Sequence, residues 1–308
     1  MSLRIVFMGT PRFAVPSLDV LVSEGHEVVA VVTAPDRPRG RGREISSTPV
    51  KEAAVRLGLN LLQPAELTDL SFHQDLRSRK PDLIVVVAFR ILPPSVFAIP
   101  PKGSFNLHAS LLPRYRGAAP INWALIRGDK ETGVTTFFLE ERVDTGRMIV
   151  QKNTPITRED DAGSLHDRLS LLGASAVAET VRLIERGEVR TTGQDVAHAT
   201  LAPKIFKPDC RIPWNKQAEE VRNFIRGLSP SPAAWTMHRG LTLRLYRTET
   251  ADGGVGDPGS VTVEGKSLLV QCADQRLAIL EVQQEGRKRL AAEEFLRGYP
   301  LKTGEHFA

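Results

Sequence analysis

The sequence contains little cysteine and no long apolar segment. Cys210 and Cys272 are its two cysteines, and they lie far apart, without a Cys-x-x-Cys pair or a Cys/His cluster. This excludes a disulfide framework and a clustered zinc site, and it favours a reducing, cytoplasmic setting. The longest apolar run, residues 83–89, is too short to span a bilayer, and the run at residues 5–8 is too short for a secretory signal. We therefore expect no membrane association.

Motifs of two common enzyme classes are also absent. No Gly-x-Gly-x-x-Gly follows the first predicted strand, which argues against a nicotinamide or flavin cofactor. Gly40-Arg41-Gly42 lies instead in an arginine-rich loop after the second strand. The sequence has neither a Gly-x-Ser-x-Gly elbow nor a Cys/His pairing, so it offers no activated nucleophile of the enzyme's own.

The composition is that of an ordinary globular protein large enough for two domains. The chain has 308 residues, of which 41% are hydrophobic and 25% are charged. Lysine and arginine number 41 against 36 aspartates and glutamates, which gives a net charge of +5. This modest excess permits an anionic partner without proving one.

Hydrophobic periodicity divides the chain into two parts. Continuous apolar strands alternate with helices over residues 1–186, which predicts an α/β domain with a mainly parallel sheet. Residues 187–207 are polar and predict a linker, and residues 208–308 predict a helix followed by a small antiparallel β-barrel. The strands are predicted at residues 4–8, 28–33, near 61, 83–88, 104–107, 134–139, 148–154, 241–246, 260–263, 268–272 and 277–282. One helix is predicted to begin near residue 15. Five further helices are predicted at residues 49–57, 72–79, 118–127, 164–186 and 218–228.

Three polar residues follow the predicted strands in a pattern that indicates acyl-transfer chemistry. Asn106 and His108 alternate on one strand and therefore face the same side. Asp144 opens the turn Asp144-Thr145-Gly146. Taken singly, His108 is more often a satisfied core histidine and Asp144 a turn residue. Together an acid, an imidazole and an amide at a sheet edge supply the parts that acyl transfer needs. An aspartic protease would require a second Asp-Thr-Gly, and the sequence has one.

At these residues the chain resembles the methionyl-tRNA formyltransferase family. The resemblance rests on residues 104–146, together with Phe7-Met8-Gly9-Thr10-Pro11, Pro35-Asp36-Arg37-Pro38, Thr48-Pro49-Val50-Lys51 and Ala202-Pro203-Lys204. Asn-x-His with a distant Asp is common to folate-dependent formyltransferases, whereas residues 112–122 and the carboxyl-terminal region are more selective. The resemblance implies a Rossmann-like formyltransferase domain and an OB-like β-barrel. It also implies 10-formyltetrahydrofolate as formyl donor, initiator methionyl-tRNA as acceptor, and no metal.

The resemblance also implies which residues bind the reduced folate. Its folate-binding segment corresponds to Ser110, Leu111, Leu112 and Pro113, and the backbone of residues 86–92 is expected to line the pterin pocket. The family usually has Tyr-Gly-Leu-Ile-Leu-Pro or a similar sequence there. This chain has Phe89-Arg90-Ile91-Leu92-Pro93, so the presence of Arg90 is a departure that affects the expected loop geometry.

The chemistry of formyl transfer gives each polar residue a role. The substrate amine is itself the nucleophile, so the enzyme must polarise the formyl oxygen and provide a path for protons. We expect Asn106 and His108 to donate hydrogen bonds to that oxygen. We expect Asp144 to orient His108, to hold a proton on it, and to help to move protons from the amine to the folate nitrogen.

Basic residues in three places are expected to contact tRNA. In the family, the loop after the second strand enters the acceptor-stem region, and arginine contacts phosphates and base edges alike. Each of these residues has an alternative interpretation as an ordinary solvated side chain. The expected contacts are Arg37, Arg39, Arg41 and Arg43 in the loop, Lys204 and Lys207 in the linker, and Arg239, Arg244, Arg247 and residues 287–289 in the barrel.

Three alternative functions remain open at this stage. The first is a folate-dependent formyltransferase that acts on a nucleotide-linked amine or glycinamide ribonucleotide, against which the barrel and the arginine loop argue. The second is a hydrolase that transfers the formyl group to water. The third, least favoured, is a noncatalytic RNA-binding protein that keeps the fold. We expect a monomer, and we expect His26 and His166 to be exposed and outside the site.

Overall fold

The computed structural model describes residues 2–39 and 44–308, and the chain folds as two compact units. Both units are assembled from discontinuous stretches. The first consists of Met1–Gly117, Thr132–Thr154 and His166–Leu201, and the second of Ala118–Glu131, Pro155–Leu165 and Ala202–Ala308. Within the described ranges, no helix has the length and apolar character needed to cross a membrane.

A seven-stranded sheet forms the centre of the first unit, in the order β5-β2-β1-β6-β7-β8-β9. Neighbouring strands from β5 to β7 run parallel, and β8 pairs antiparallel with β7. The predicted mainly parallel sheet is therefore confirmed. A separate antiparallel hairpin joins β3 to β4. The strands are β1 Arg4–Gly9, β2 Glu27–Val32, β3 Arg37–Arg39, β4 Glu44–Ser46, β5 Leu61–Leu62, β6 Leu83–Val87, β7 Ser104–His108, β8 Glu131–Phe138 and β9 Met148–Pro155.

The central strands are apolar because both faces of the sheet are covered. All five residues of β6 are buried, as are the last five residues of β1. Helix α2 begins where Thr48 Oγ1 accepts a hydrogen bond from the Lys51 backbone at 3.1 Å, with Pro49 in the first turn. The helices in this part of the chain are α1 Val15–Ser23, α2 Pro49–Arg56, α3 Leu70–Ser78, α4 Pro94–Phe97, α5 Pro120–Ile126 and α6 Ala162–Arg186.

The second unit contains a six-stranded antiparallel sheet. Its order is β10-β11-β14-β13-β12, and β15 also pairs with β14. The predicted separate all-β region is confirmed, whereas its OB-like character stays a prediction. The strands are β10 Ala234–His238, β11 Leu241–Ala251, β12 Val261–Glu264, β13 Ser267–Gln271, β14 Arg276–Gln284 and β15 Arg289–Ala291, and the helices are α7 Ala218–Leu228 and α8 Ala292–Gly298.

Residues 304–308 link the two outer strands of this sheet. The Val261 amide on β12 donates to the Glu305 carbonyl at 2.7 Å, and the Met237 amide on β10 donates to the Ala308 carbonyl at 2.9 Å. The side chain of Phe307 between these contacts is fully buried in the apolar core of the unit. Backbone pairing and apolar burial therefore cover both sheet edges together.

Some local predictions differ from the structure. The arginine-rich loop contains the strands β3 and β4, and neither β10 nor α8 was predicted. His26, expected to be exposed, is only 9% exposed, because Gly25 turns the chain with φ of 79° and the His26 amide donates back to Leu21 O at 3.2 Å. His166 is half-exposed on α6, with its ring centroid 5.3 Å from that of Phe13.

Residues 191–201 of the predicted linker belong to the first unit. Thr192 forms an isolated bridge with Met148, and the Thr200 carbonyl accepts from the Arg116 amide at 2.9 Å. The backbone of this stretch therefore has partners elsewhere in the first unit, although the stretch lacks a helical or strand period. The domain boundaries at residues 186 and 207 stay a prediction.

Candidate active site

Asn106 and His108 lie at the carboxyl end of β7. Because they are two positions apart on one strand, their side chains share a face of the sheet. Asn106 pairs with Phe137 of β8, and His108 pairs with Thr135. Asn106 is half-buried and His108 is 6% exposed. The Asn106 amide forms no hydrogen bond with any described residue. An accessible amide donor therefore lies beside a buried imidazole.

A backbone carbonyl fixes the imidazole of His108. Its Nε2 donates to the Tyr115 carbonyl at 2.8 Å, which leaves Nδ1 on the side of Asp144. The Nδ1 atom lies 3.9 Å from Asp144 Oδ2, which is beyond hydrogen-bond distance. A neutral ring thus presents a lone pair at Nδ1, and a protonated ring presents a donor there, next to a carboxylate. We expected Asp144 to orient the ring, but the hydrogen bond that orients it is the one that His108 Nε2 donates to the Tyr115 carbonyl.

Asp144 is held in an unusual conformation at the start of its turn. It is 9% exposed and adopts φ of 56°, a region that non-glycine residues rarely occupy. Its Oδ2 accepts from the Gly117 amide at 2.9 Å. At Gly146 a Cβ atom would lie 1.8 Å from the Phe138 carbonyl oxygen, so the turn tolerates only glycine there.

Three consecutive residues, 115–117, contact three different parts of this site. The Tyr115 carbonyl binds His108, the Arg116 side chain binds Gln194, and the Gly117 amide binds Asp144. The sequence singled out this stretch by resemblance but gave no sign that its backbone holds both His108 and Asp144.

The predicted folate segment forms a tightly bonded turn. Ser110 is fully buried and its Oγ donates to the Arg114 carbonyl at 2.6 Å, while the Leu112 amide donates to Thr135 Oγ1 at 3.1 Å. Leu112 is also buried, whereas Leu111 and Pro113 are half-exposed. Ser110 and Leu112 therefore fix the turn, and Leu111 and Pro113 are the two members with surface available to a ligand.

The loop after β6 lies next to Asn106, because Val86 pairs with Asn106 in the sheet. Arg90 donates to the carbonyls of Ala65 and Pro64 at 2.7 and 2.8 Å, which ties this loop to residues 64 and 65. The backbone amides of Phe89 and Ile91 hydrogen-bond to none of the described residues. Arg90 thus supports the loop, and free backbone donors remain for a polar ring.

The arginines predicted to contact tRNA are only partly described. Arg37 and Arg39 lie on β3, whereas Arg41 and Arg43 lie outside the described residues. An ion pair between Asp36 and Lys51 closes the base of the hairpin. The hydrogen bond from Lys51, followed by one from Gln63, lowers the pKa of the Asp36 carboxyl. The ion pair therefore connects the residue before β3 to helix α2.

The remaining predicted tRNA contacts belong to the second unit. Lys204 and Lys207 are both exposed, and Lys204 Nζ lies 5.3 Å from the ring centroid of Phe206. On the sheet, Arg247 and Arg289 pair with Glu281, and Arg239 pairs with Glu305. These three arginines of the second unit therefore have protein carboxylates as partners.

Family models cover most of the chain. Residues 3–181 match the model described as formyl transferase, and residues 204–300 match formyl transferase, C-terminal domain. A methionyl-tRNA formyltransferase of Chlorobium phaeovibrioides is 48% identical over 99% of this chain and 98% of its own length. One of Geotalea uraniireducens is 47% identical over 98% of this chain and 97% of that protein.

Solved structures share the fold at low identity. The HypX protein of Aquifex aeolicus in complex with tetrahydrofolic acid is 19% identical, with a TM-score of 0.67 over 98% of this chain and 49% of that chain. An N-formyltransferase of Helicobacter canadensis is 18% identical, with a TM-score of 0.68 over 90% of this chain and 98% of that chain. The full-length identity to curated relatives and the two family models show that the chain belongs to the methionyl-tRNA formyltransferase family.

Proposed function

We propose that the chain transfers the formyl group of 10-formyltetrahydrofolate to the free amino group of initiator methionyl-tRNA, through Asn106, His108 and Asp144. The observation that carries these residue roles is the arrangement at the end of β7. A buried imidazole lies 3.9 Å from a buried carboxylate, beside an amide that has no partner among residues 2–39 and 44–308. Family membership supports the reaction class.

Asn106 and His108 stabilise the charge that develops in the reaction. When an amine attacks the formyl carbon, negative charge builds on the formyl oxygen, and preorganised donors there accelerate the reaction. The free Asn106 amide supplies one donor. Because His108 Nε2 is used by the Tyr115 carbonyl, its second donor is Nδ1–H of the protonated ring. The Asp144 carboxylate balances that charge from 3.9 Å.

Asp144 also assists the transfer of protons. The amine loses one proton when the new C–N bond forms, and the folate nitrogen gains one when its bond to the formyl carbon breaks. Asp144 Oδ2 is occupied by the Gly117 amide. The other carboxylate oxygen accepts the proton from the amine and passes it on.

The reduced folate binds to the loop after β6 and to the turn at residues 110–113. The amides of Phe89 and Ile91 offer hydrogen bonds to the pterin ring, and Leu111 and Pro113 offer apolar contact. Ser110 and Leu112 act by shaping the turn.

The tRNA is bound by the arginines at positions 37, 39, 41 and 43 and by the exposed Lys204 and Lys207. Phosphate contacts of this kind weaken with salt, so binding to methionyl-tRNA should fall as ionic strength rises. We further propose that the enzyme acts as a monomer in the cytoplasm, which light scattering and cell fractionation can test.

The proposal is tested by incubating the protein with 10-formyltetrahydrofolate and either initiator or elongator methionyl-tRNA. We expect formylmethionyl-tRNA mainly from the initiator. Formate release in the absence of aminoacyl-tRNA would identify the hydrolase alternative. Formylation of glycinamide ribonucleotide in place of methionyl-tRNA would identify the small-amine alternative, and no product at all would contradict an enzymatic role.

A further inference from the structure

The side chain of Gln194 connects the turn at residues 144–146 to the side chain of Arg116. Its Nε2 donates to the carbonyl oxygens of Asp144 and Gly146, each at 2.9 Å. Its Oε1 accepts from Arg116 Nε at 3.1 Å and from a terminal Arg116 nitrogen at 2.6 Å. Both amide hydrogens and both oxygen lone pairs are therefore used.

The partners determine which way the amide points. Carbonyl oxygens can only accept hydrogen bonds and a guanidinium can only donate them, so a reversed amide would lose all four contacts. The side chain thus bridges the Asp144 turn and the stretch that contains Gly117, whose amide holds Asp144 Oδ2 at 2.9 Å. The first of these loops contains Asp144 and the second contacts it, and Gln194 forms a further connection between them.

The conformation of Asp144 benefits from such a connection. Its φ of 56° is uncommon for a residue other than glycine, and contacts from the surroundings stabilise it. The two carbonyls that Gln194 binds lie on either side of Thr145, so they fix the orientation of the peptide groups that aim the Asp144 side chain.

We infer that Gln194, anchored by Arg116, is a positioning residue that holds the Asp144 carboxylate at its distance from His108 Nδ1. The inference rests on the proposed function, because it assigns Gln194 an effect on formyl transfer through Asp144. Loss of this support lets the turn relax and moves the carboxylate away from the imidazole. Small displacements of a catalytic group lower rates strongly.

The first test compares Gln194→Leu and Gln194→Glu with the parent enzyme in formyl transfer to initiator methionyl-tRNA. Gln194→Leu removes all four hydrogen bonds. Gln194→Glu keeps the acceptor for Arg116 but cannot donate to the two carbonyls. We expect both to lower kcat about tenfold to hundredfold, with KM for folate and tRNA changed less than about threefold. A Gln194→Glu enzyme with parental kcat would overturn the inference.

Thr191→Val is the matched control in the same segment. Thr191 Oγ1 accepts from Arg147 Nε at 2.7 Å, so this variant also removes a polar contact but none to the Asp144 turn. We expect kcat within about twofold of the parent. A loss as large as that of Gln194→Leu would show that the segment acts through general structure, and it would overturn the inference.

A double-mutant cycle separates positioning from folding. If Gln194 acts through Asp144, adding Gln194→Leu to Asp144→Asn should reduce kcat by less than about twofold further. Full multiplication of the two losses would contradict the inference. Because every comparison is made relative to the parent enzyme, absence of formyl transfer by the parent would refute the proposed function, whereas parental kcat in the Gln194 variants would refute only this inference.

Discussion

The loops around Asp144 and the core of the second unit are stabilised by different forces. The loops depend on hydrogen bonds between side chains and backbone: the Gln194 amide donates to the Asp144 carbonyl, and the Asp144 carboxylate accepts from the Gly117 amide. The core of the second unit depends on apolar burial, with residues such as Phe307 and Leu245 fully removed from solvent. Hydrogen bonds fix direction but add little net stability, whereas burial adds stability without direction. Substitutions in the two regions should therefore affect different measurements.

The largest effect on stability is expected for Phe307→Ala. The Phe307 ring is fully buried, 6.2 Å from the Trp214 ring and 5.4 Å from the His238 ring. Removing it should lower the free energy of unfolding by about 3–5 kcal/mol, because a cavity remains. Urea unfolding followed by tryptophan fluorescence measures this. Val255→Ala, at an exposed position, serves as control, and a loss below about 1 kcal/mol for Phe307→Ala would contradict the comparison.

Asn106→Ala should show the opposite behaviour. Its amide has no partner among the described residues, so its removal should change the free energy of unfolding by less than about 1 kcal/mol. Loss of a donor to the developing oxyanion should lower kcat about a hundredfold or more. His108→Ala should lose at least as much activity but also some stability, since the buried Tyr115 carbonyl loses its donor. Single-turnover formylation with either variant near the parental rate would refute the assignment.

Asp144→Asn tests charge at nearly constant shape. The asparagine oxygen can still accept from the Gly117 amide, but it carries no negative charge to favour the protonated His108. We expect a loss in kcat of about a hundredfold, close to that of Asp144→Ala. If Asp144→Asn retained most of the activity, Asp144 would be only a turn residue.

Arg90→Leu should have a smaller effect, confined to folate binding. Its two hydrogen bonds to the carbonyls of Pro64 and Ala65 support the loop after β6. Their loss, at about 0.5–1.5 kcal/mol for each net hydrogen bond, should raise KM for the folate about threefold to tenfold. The KM for methionyl-tRNA should not change. Equal increases in both constants would indicate a wider structural defect.

The smallest effect is a pH dependence of stability in the second unit. Burial lowers the pKa of His238, whose ring faces Glu305, Arg239 and Tyr299. The unfolded chain therefore binds a proton more readily than the folded one, and stability should fall as the pH drops below about 6.5. Glu305, whose pKa is lowered mainly by the Lys302 amide and also by Arg239, loses its contribution only below about pH 4.5.

The His238 effect is isolated by comparing the parent with His238→Phe in urea at about pH 7 and about pH 5.5. We expect the parent to lose more stability between these values than the variant does. Equal losses would place the pH dependence on other groups.

The sequence predicted most elements because their patterns are local. Helix α7 was predicted with its observed bounds, and the strands β1, β2, β6 and β7 within one or two residues. Strand β10 was missed because it follows prolines at positions 230 and 232 and has no strong alternation. Strands β3 and β4 contain arginine, proline and glutamate, so they form through mutual pairing rather than intrinsic preference.

The site was predictable only where side chains carry the chemistry. Asn106, His108 and Asp144 are recognisable in the sequence, because Asn-x-His at the end of a strand and a distant Asp-Thr-Gly form a pattern of polar residue types. Gln194 and the backbone groups of residues 115–117 do not, because a glutamine in a polar stretch has no periodicity and a carbonyl has no sequence signature. Their roles depend on contacts between residues as far as 78 positions apart, as for Arg116 and Gln194.

The stretch at residues 115–117 also constrains how the gene can change length. One carbonyl and one amide in this stretch hold His108 and Asp144, and Arg116 between them reaches Gln194. Inserting or deleting a single residue between His108 and Tyr115 would displace the contacts of residues 115, 116 and 117 together. A change of side chain cannot restore the two backbone contacts. Length variation among descendants of this chain is therefore expected outside residues 108–117, for example at residues 252–257, where Val255 is fully exposed.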